Sequence, residues 1–168
     1  PIQLAAKEPI QYQSVSPRAQ AAVKETTLPP QAQAVLTFKD PQMTSRFGDA
    51  SKPAPRDFLK EFGVTPANEA DREVLNRIIA LESGGNPRAV NLKTPSGKDS
   101  GLVQFNPQNA KRFNVTENSP VEAQIRAAEK RLAELPREIG LDRVTLTAEE
   151  RNRVLATAWL GPRMTRHA

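Results

Sequence analysis

The chain has no cysteine, and its single histidine, His167, lies next to the last residue. Thiolate nucleophiles, disulfides and zinc sites of the usual Cys/His kind are thereby excluded, and no metal or other cofactor is expected. Aromatic residues make up 5% and hydrophobic residues 38% of the 168 positions. That is below the apolar share of an ordinary globular chain, so part of the sequence is expected to pack against little of itself. No apolar run approaches the roughly 20 residues that span a bilayer, and the N-terminus lacks the basic, apolar, small-residue series of an export signal. Neither a membrane span nor a recognisable export signal is expected. The length suits one domain of ordinary size plus some extra chain.

The net charge of +5 and pI of about 9.8 would suit nucleic acid, an anionic membrane or an acidic polymer. Basic and acidic residues alternate, however, as in Lys130-Arg131 with Glu129 and Glu134. No basic run with interleaved aromatics occurs, so no nucleic-acid site is evident.

Composition divides the chain at 66/67. Nine of the 15 prolines lie in residues 1–66, together with seven glutamines between Gln3 and Gln42. Repeated proline denies long helices and interior strands, and so little burial cannot offset a backbone ordering cost of about 1–2 kcal/mol per residue. Residues 1–66 therefore read as an extended docking arm that is ordered by other subunits. Leu4, Ile10, Tyr12, Val35, Leu36, Phe38 and Phe47 are its candidate anchors. Short helical pieces are expected near Arg18–Glu25 and over Asp57–Phe62, the latter stopped by Gly63. The alternative is an arm that folds back over its own domain.

From Asn68 the pattern becomes helical. Val74, Leu75, Ile78, Ile79 and Leu81 recur at helical spacing behind a cap at Asn68, and Gly84-Gly85 stop the run. Residues 86–105 read as a loop or short hairpin. Asn106-Pro107 opens a short helix to about Phe113. Ser119-Pro120-Val121-Glu122 reads as a capping box for a helix through Ile125, Ala128, Leu132 and Leu135, ended or kinked at Pro136. Thr147 and Glu150 form a second box, for a helix expected to stop near Gly161-Pro162.

Glu82 is the informative acid. It shares a helix face with Ile78 and Ile79, so its carboxyl points along the apolar side, where desolvation favours the protonated form. Such a group can protonate a leaving oxygen near neutral pH. The alternative is a helix-end Glu that turns to solvent or to the Gly84-Gly85 backbone. The context favours the first reading: Glu82-Ser83, Asn86-Pro87, Ala89-Val90, then Gly101-Leu102-Val103-Gln104-Phe105 and Pro107. This resembles the lytic transglycosylase family of the soluble type, related to goose-type lysozymes. Ala156-Thr157-Ala158-Trp159-Leu160-Gly161-Pro162 resembles its Ala-Ala-Tyr-Asn-Ala-Gly-Pro block. The resemblance covers about residues 68–163 and implies a mostly α, lysozyme-like domain over 67–168, carrying the extended Pro/Gln-rich N-terminal arm.

The resemblance implies that Glu82 is the catalytic acid and then base at the bond between N-acetylmuramic acid and N-acetylglucosamine in peptidoglycan. The muramoyl C6 hydroxyl would attack, so no second carboxylate is required. It places Gln104, Gly101, Asn91, Phe105 and Trp159 at the substrate, with Glu82, Gln104 and Trp159 facing one cleft. Asn91 stands where the family has Ser, Trp159 where it has Tyr, and Asn106 where Met is usual. For Gln104 the alternative is an amide that bonds the loop backbone, for Gly101 an ordinary turn glycine, and for Trp159 a core residue. Asp99, in a loop longer than the family's, is a candidate second acid for a goose-type muramidase; its alternative is a turn residue. The missing export signal fits delivery by a phage particle to the host periplasm and cell wall, with the arm docked on tail or ejection proteins. A structural virion protein with an inactive lysozyme-like domain is the reading from a different class.

Overall fold

The computed structural model describes residues 54–165, with side chains as far as Trp159. The expectations for Arg18–Glu25 and for the anchors from Leu4 to Phe47 lie outside the described residues.

Helix α1 (Phe58–Phe62) is capped by Asp57, whose carboxylate accepts from the Lys60 N–H at 3.2 Å, and ends at Gly63 with φ +69°. It buries Phe58 and Leu59. Residues 58–64, grouped by composition with the arm, thus give Phe58, Leu59 and Val64 to the main core. Asn68 caps a single 3-10 turn, Glu69–Asp71, through the Ala70 N–H, and α2 (Arg72–Glu82) follows directly. Helix α2 runs through the centre of the core. Val74, Leu75, Ile78 and Ile79 are at most 1% exposed, as is Leu155 across from them.

Asn76 and Asp57 lock α1 onto α2. The Asn76 side chain, itself buried, accepts from the Leu59 N–H at 3.2 Å and donates to Asp57 at 3.0 Å. Those hydrogen bonds, led by the one from Asn76 and joined by Arg72, hold the Asp57 carboxyl below its usual range.

The segment after α2 is a small antiparallel hairpin, β1 (Val90–Asn91) against β2 (Asp99–Ser100), with Val90 opposite Ser100 and Asn91 opposite Asp99. Asn106 then caps α3 (Pro107–Phe113) by accepting from the Asn109 N–H at 2.8 Å.

Helix α4 (Val121–Glu138) departs from the capping box expected at Ser119. Its cap is Pro120, and the Ser119 hydroxyl accepts from Thr116 N–H in the preceding turn instead. Pro136 does not end the helix, which continues to Glu138. Arg131 grips Glu138 through two hydrogen bonds of 2.7 and 2.9 Å, two turns apart and spanning the proline.

Helix α5 (Ala148–Thr165) begins with the expected reciprocal box. Thr147 N–H donates to the Glu150 carboxylate at 3.0 Å, and Glu150 N–H donates to the Thr147 hydroxyl at 3.2 Å. It runs on past Gly161-Pro162, since one proline removes a single i to i−4 bond and can bend a helix without stopping it. Helix α5 packs on both α2 and α4, all three contribute to the main core, and a smaller cluster of Leu141 and Val154 closes the α4–α5 connection.

Candidate active site

Glu82 is the last residue of α2, half-buried, with Oε1 shielded from solvent. The helix places it there by periodicity, three and four residues beyond the fully buried Ile79 and Ile78. The chain then turns away sharply. Ser83 and Gly84 N–H groups both donate to Ile79 O, at 3.1 and 3.0 Å, and the Gly85 N–H donates to the Ser83 hydroxyl at 3.2 Å. Gly85 is required on two counts: its φ is +89°, and a β-carbon there would lie 2.5 Å from the Phe58 ring. The turn behind Glu82 is therefore seated on α1.

A second turn is stitched to the segment that follows the first. Ser100 and Phe105 exchange backbone hydrogen bonds of 3.0 Å, closing a tight loop over Gly101–Gln104, and Gly101 N–H donates to Ala89 O at 2.8 Å. Gln104, only 5% exposed, adopts φ +54°, and its amide nitrogen donates to Ala89 O at 3.0 Å and Gly101 O at 2.9 Å. Both amide hydrogens thus bind the loop backbone, the alternative recognised for this residue.

Gly101 also has a local reason. At φ +85°, a β-carbon would lie 2.6 Å from Gln124 Oε1, so the close approach it permits is that of the Gln124 side chain.

A cavity of about 450 Å³ lies beside this turn, walled by Gln104, Phe105, Asn106 and Trp159, by Gln108, Asn109 and Arg112 of α3, and by Arg131, Leu135 and Glu138 of α4. Phe105 is stacked between Phe113, at 5.4 Å, and Trp159, at 5.8 Å, so Trp159 is both core neighbour and cavity wall. Glu82 is not among the lining residues, although it was expected to share a cleft with Gln104 and Trp159. Its carboxyl follows Ile78 and Ile79 inward and is partly covered.

The charged rim of the cavity is paired within itself. Arg131 bonds Glu138 and Glu134, and Arg112 bonds Glu134. The hydrogen bonds from Arg131 hold the Glu138 carboxyl below its usual range, and those from Glu138 raise the Arg131 guanidinium.

Asn91 and Asp99 face each other in register on the hairpin, away from the cavity wall. Asn91 is exposed, with its side chain accepting from Lys93 N–H at 3.0 Å. Asp99 is 3% exposed and accepts from the Ser96 hydroxyl at 3.0 Å. Asp99 is thus a strand residue rather than a turn residue.

Two buried amides escaped the sequence reading, Asn76 and Gln124. Gln124 follows Ala123 on the inner face of α4, and a glutamine one residue before the apolar Ile125 was the only available signal. Among the described residues no group of three or more His, Asp or Glu could hold a metal ion, and no helix is long and apolar enough to cross a membrane.

Comparison with the curated proteins and with the solved structures gives no match. The family model of the transglycosylase SLT domain matches residues 63–156, from the end of α1 into α5, and so takes in Glu82, both stitched turns and α4. With more than half its length matched, and with a mostly helical, lysozyme-like domain around an inward glutamate, the chain belongs to the transglycosylase SLT family, whose lytic transglycosylase domains act on peptidoglycan.

Proposed function

We propose that this domain cleaves the β-1,4 bond between N-acetylmuramic acid and N-acetylglucosamine, with Glu82 as its acid and base. One observation carries the reading: within the matched segment, Glu82 ends a buried helix with Oε1 shielded from water, on a turn seated against Phe58. Glu82 gives its proton to the glycosidic oxygen as the C1–O bond breaks. The muramoyl C6 hydroxyl then bonds to C1, and its proton returns to the carboxylate. A 1,6-anhydro end forms and no water is consumed. Trp159 offers the sugar a ring face on the cavity wall, with Phe105 stacked behind it and Gln104 in the same wall, while Gly101 shapes the adjoining backbone and Asn91 stands on the hairpin beyond it.

Burial of Asp99 on β2 favours one second reading, a goose-type muramidase in which Asp99 helps activate water. For delivery, we propose that the domain is carried in a phage particle and acts in the host periplasm and cell wall, with the N-terminal arm, read from composition as residues 1–66, docked on tail or ejection proteins. The Pro/Gln-rich composition of that stretch supports this.

Mass analysis of digested peptidoglycan separates the readings. Glu82→Gln keeps the shape but has no proton to give, and its rate should fall by about two to four orders of magnitude; wild-type-like turnover would sink the mechanism. Anhydro ends with little effect of Asp99→Asn support the transglycosylase. Reducing ends with a large effect support the muramidase. No cleavage by wild-type protein would leave the inactive structural role.

A further inference from the structure

We infer that Gln124 is a positioning residue that sets the Glu82 turn against the Gln104 turn. The inference rests on the reaction proposed above. Gln124 is 3% exposed, and one amide joins three segments of chain that are remote in sequence. Its Oε1 accepts from Leu102 N–H at 2.8 Å, inside the loop that carries Gln104. Its Nε2 donates to Pro87 O at 3.1 Å, in the segment leading away from Glu82, and to Ser119 O at 3.0 Å, before α4.

Both amide hydrogens are used, and the oxygen satisfies a buried backbone donor. No other polar type of that length supplies two donors and one acceptor: glutamate lacks the donors, and lysine lacks the acceptor. The glycine beside it belongs to the same device, because a β-carbon on Gly101 would lie 2.6 Å from the Gln124 oxygen and push it off its place. The two segments already meet at Ala89 O, which accepts from Gly101 N–H and from the Gln104 amide, and Gln124 adds the tie that fixes both of them to α4, a rigid element. Gln124 touches the backbone of the Gln104 turn and, at Pro87, of the segment that follows the Glu82 turn, but not Glu82 itself. Its effect on the reaction is on placement, where a shift of about 1 Å can cost roughly 100-fold in rate.

Kinetics on soluble glycan strands, read together with amide hydrogen exchange, test this. Gln124→Ala should lower kcat by about 10- to 100-fold while KM stays within about twofold, and Leu102 N–H should lose protection. Should that variant fail to fold, Gln124→Glu keeps the volume and the acceptor. Its activity relative to wild type should rise on acidification, as the protonated carboxyl regains one donor. A kcat within about twofold of wild type in folded Gln124→Ala, or a Gln124→Glu ratio that is flat with pH, would overturn the inference and leave a structural staple. Wild-type protein that cleaves no glycan would count against the proposed reaction alone. In that event the Gln104 side-chain amide resonances decide: they should move in Gln124→Ala, and unmoved signals would overturn the positioning role.

Discussion

At the scale of single residues, the adjacent glycines after Glu82 separate conformational strain from crowding. Gly84 has φ +63° with nothing within 4 Å of a β-carbon, whereas Gly85 at +89° faces the Phe58 ring at 2.5 Å. Gly84→Ala should therefore cost about 1 kcal/mol, the strain of the left-handed region. Gly85→Ala should cost about 1–3 kcal/mol for overpacking on top of that strain, and should also lower activity because Phe58 backs the turn. Urea denaturation of the two variants, with kinetics alongside, checks both expectations; equal costs would contradict the close contact. The inward setting of Glu82 was legible in sequence because Ile78 and Ile79 mark its face by spacing. The double use of the Gln104 amide was not, since it depends on Ala89 O, fifteen residues away, being brought back by the hairpin. Gln124 and Asn76 were invisible for the same reason: an amide looks alike on a wet face and in a core until its long-range partners are placed.

Among the elements, local signals worked where the partner is local. The Thr147/Glu150 box and the cap at Asn106 form from residues within one turn and appear as expected, whereas Asn68 caps the 3-10 turn ahead of α2 and the helix itself starts at Arg72 without a side-chain cap. At Ser119 the same pattern failed, because the hydroxyl found a competing partner in Thr116 N–H three residues back. Thr147→Ala should thus destabilise by about 1 kcal/mol through loss of a helix cap. Ser119→Ala, which opens only an exposed turn, should cost less; thermal denaturation of the pair distinguishes a working box from its sequence look-alike. Helix ends were less legible than starts. Pro136 lies within α4 and Pro162 within α5, and whether proline ends or merely bends a helix depends on what holds the residues beyond it. For α4 that hold is the Arg131 clamp on Glu138.

For the whole molecule, the core begins before the composition changes. A chain started at Ala54 keeps Phe58, Leu59 and Val64, while one started at Ala67 loses all three core side chains. Removing even one buried aromatic costs about 3–5 kcal/mol, against about 5–15 kcal/mol of total stability in a typical domain. The first truncation should melt cooperatively and cleave isolated peptidoglycan, and the second should not fold; calorimetry of both is the check. If, as proposed, a phage particle carries the domain by its arm, the Ala54 chain should also fail to be incorporated. Acid should weaken the whole domain. The Asp57, Glu69, Glu117 and Glu138 carboxyls are all held below their ordinary values by hydrogen bonds to Asn76, Arg72, Lys98 and Arg131 respectively. Groups lowered in the folded state contribute stability above their unfolded pKa and lose it as pH falls through the folded one. The melting temperature should therefore fall between about pH 5 and pH 3, and thermal scans across that window would read it. The stack of Phe113, Phe105 and Trp159 carries one more consequence. Trp159 is the only tryptophan in the chain, and it stands on the cavity wall. Indole emission from this protein thus comes from a single place, so the native chain carries an optical probe at that cavity, and titration with a chitin or muramyl oligosaccharide should shift or quench the light without any label.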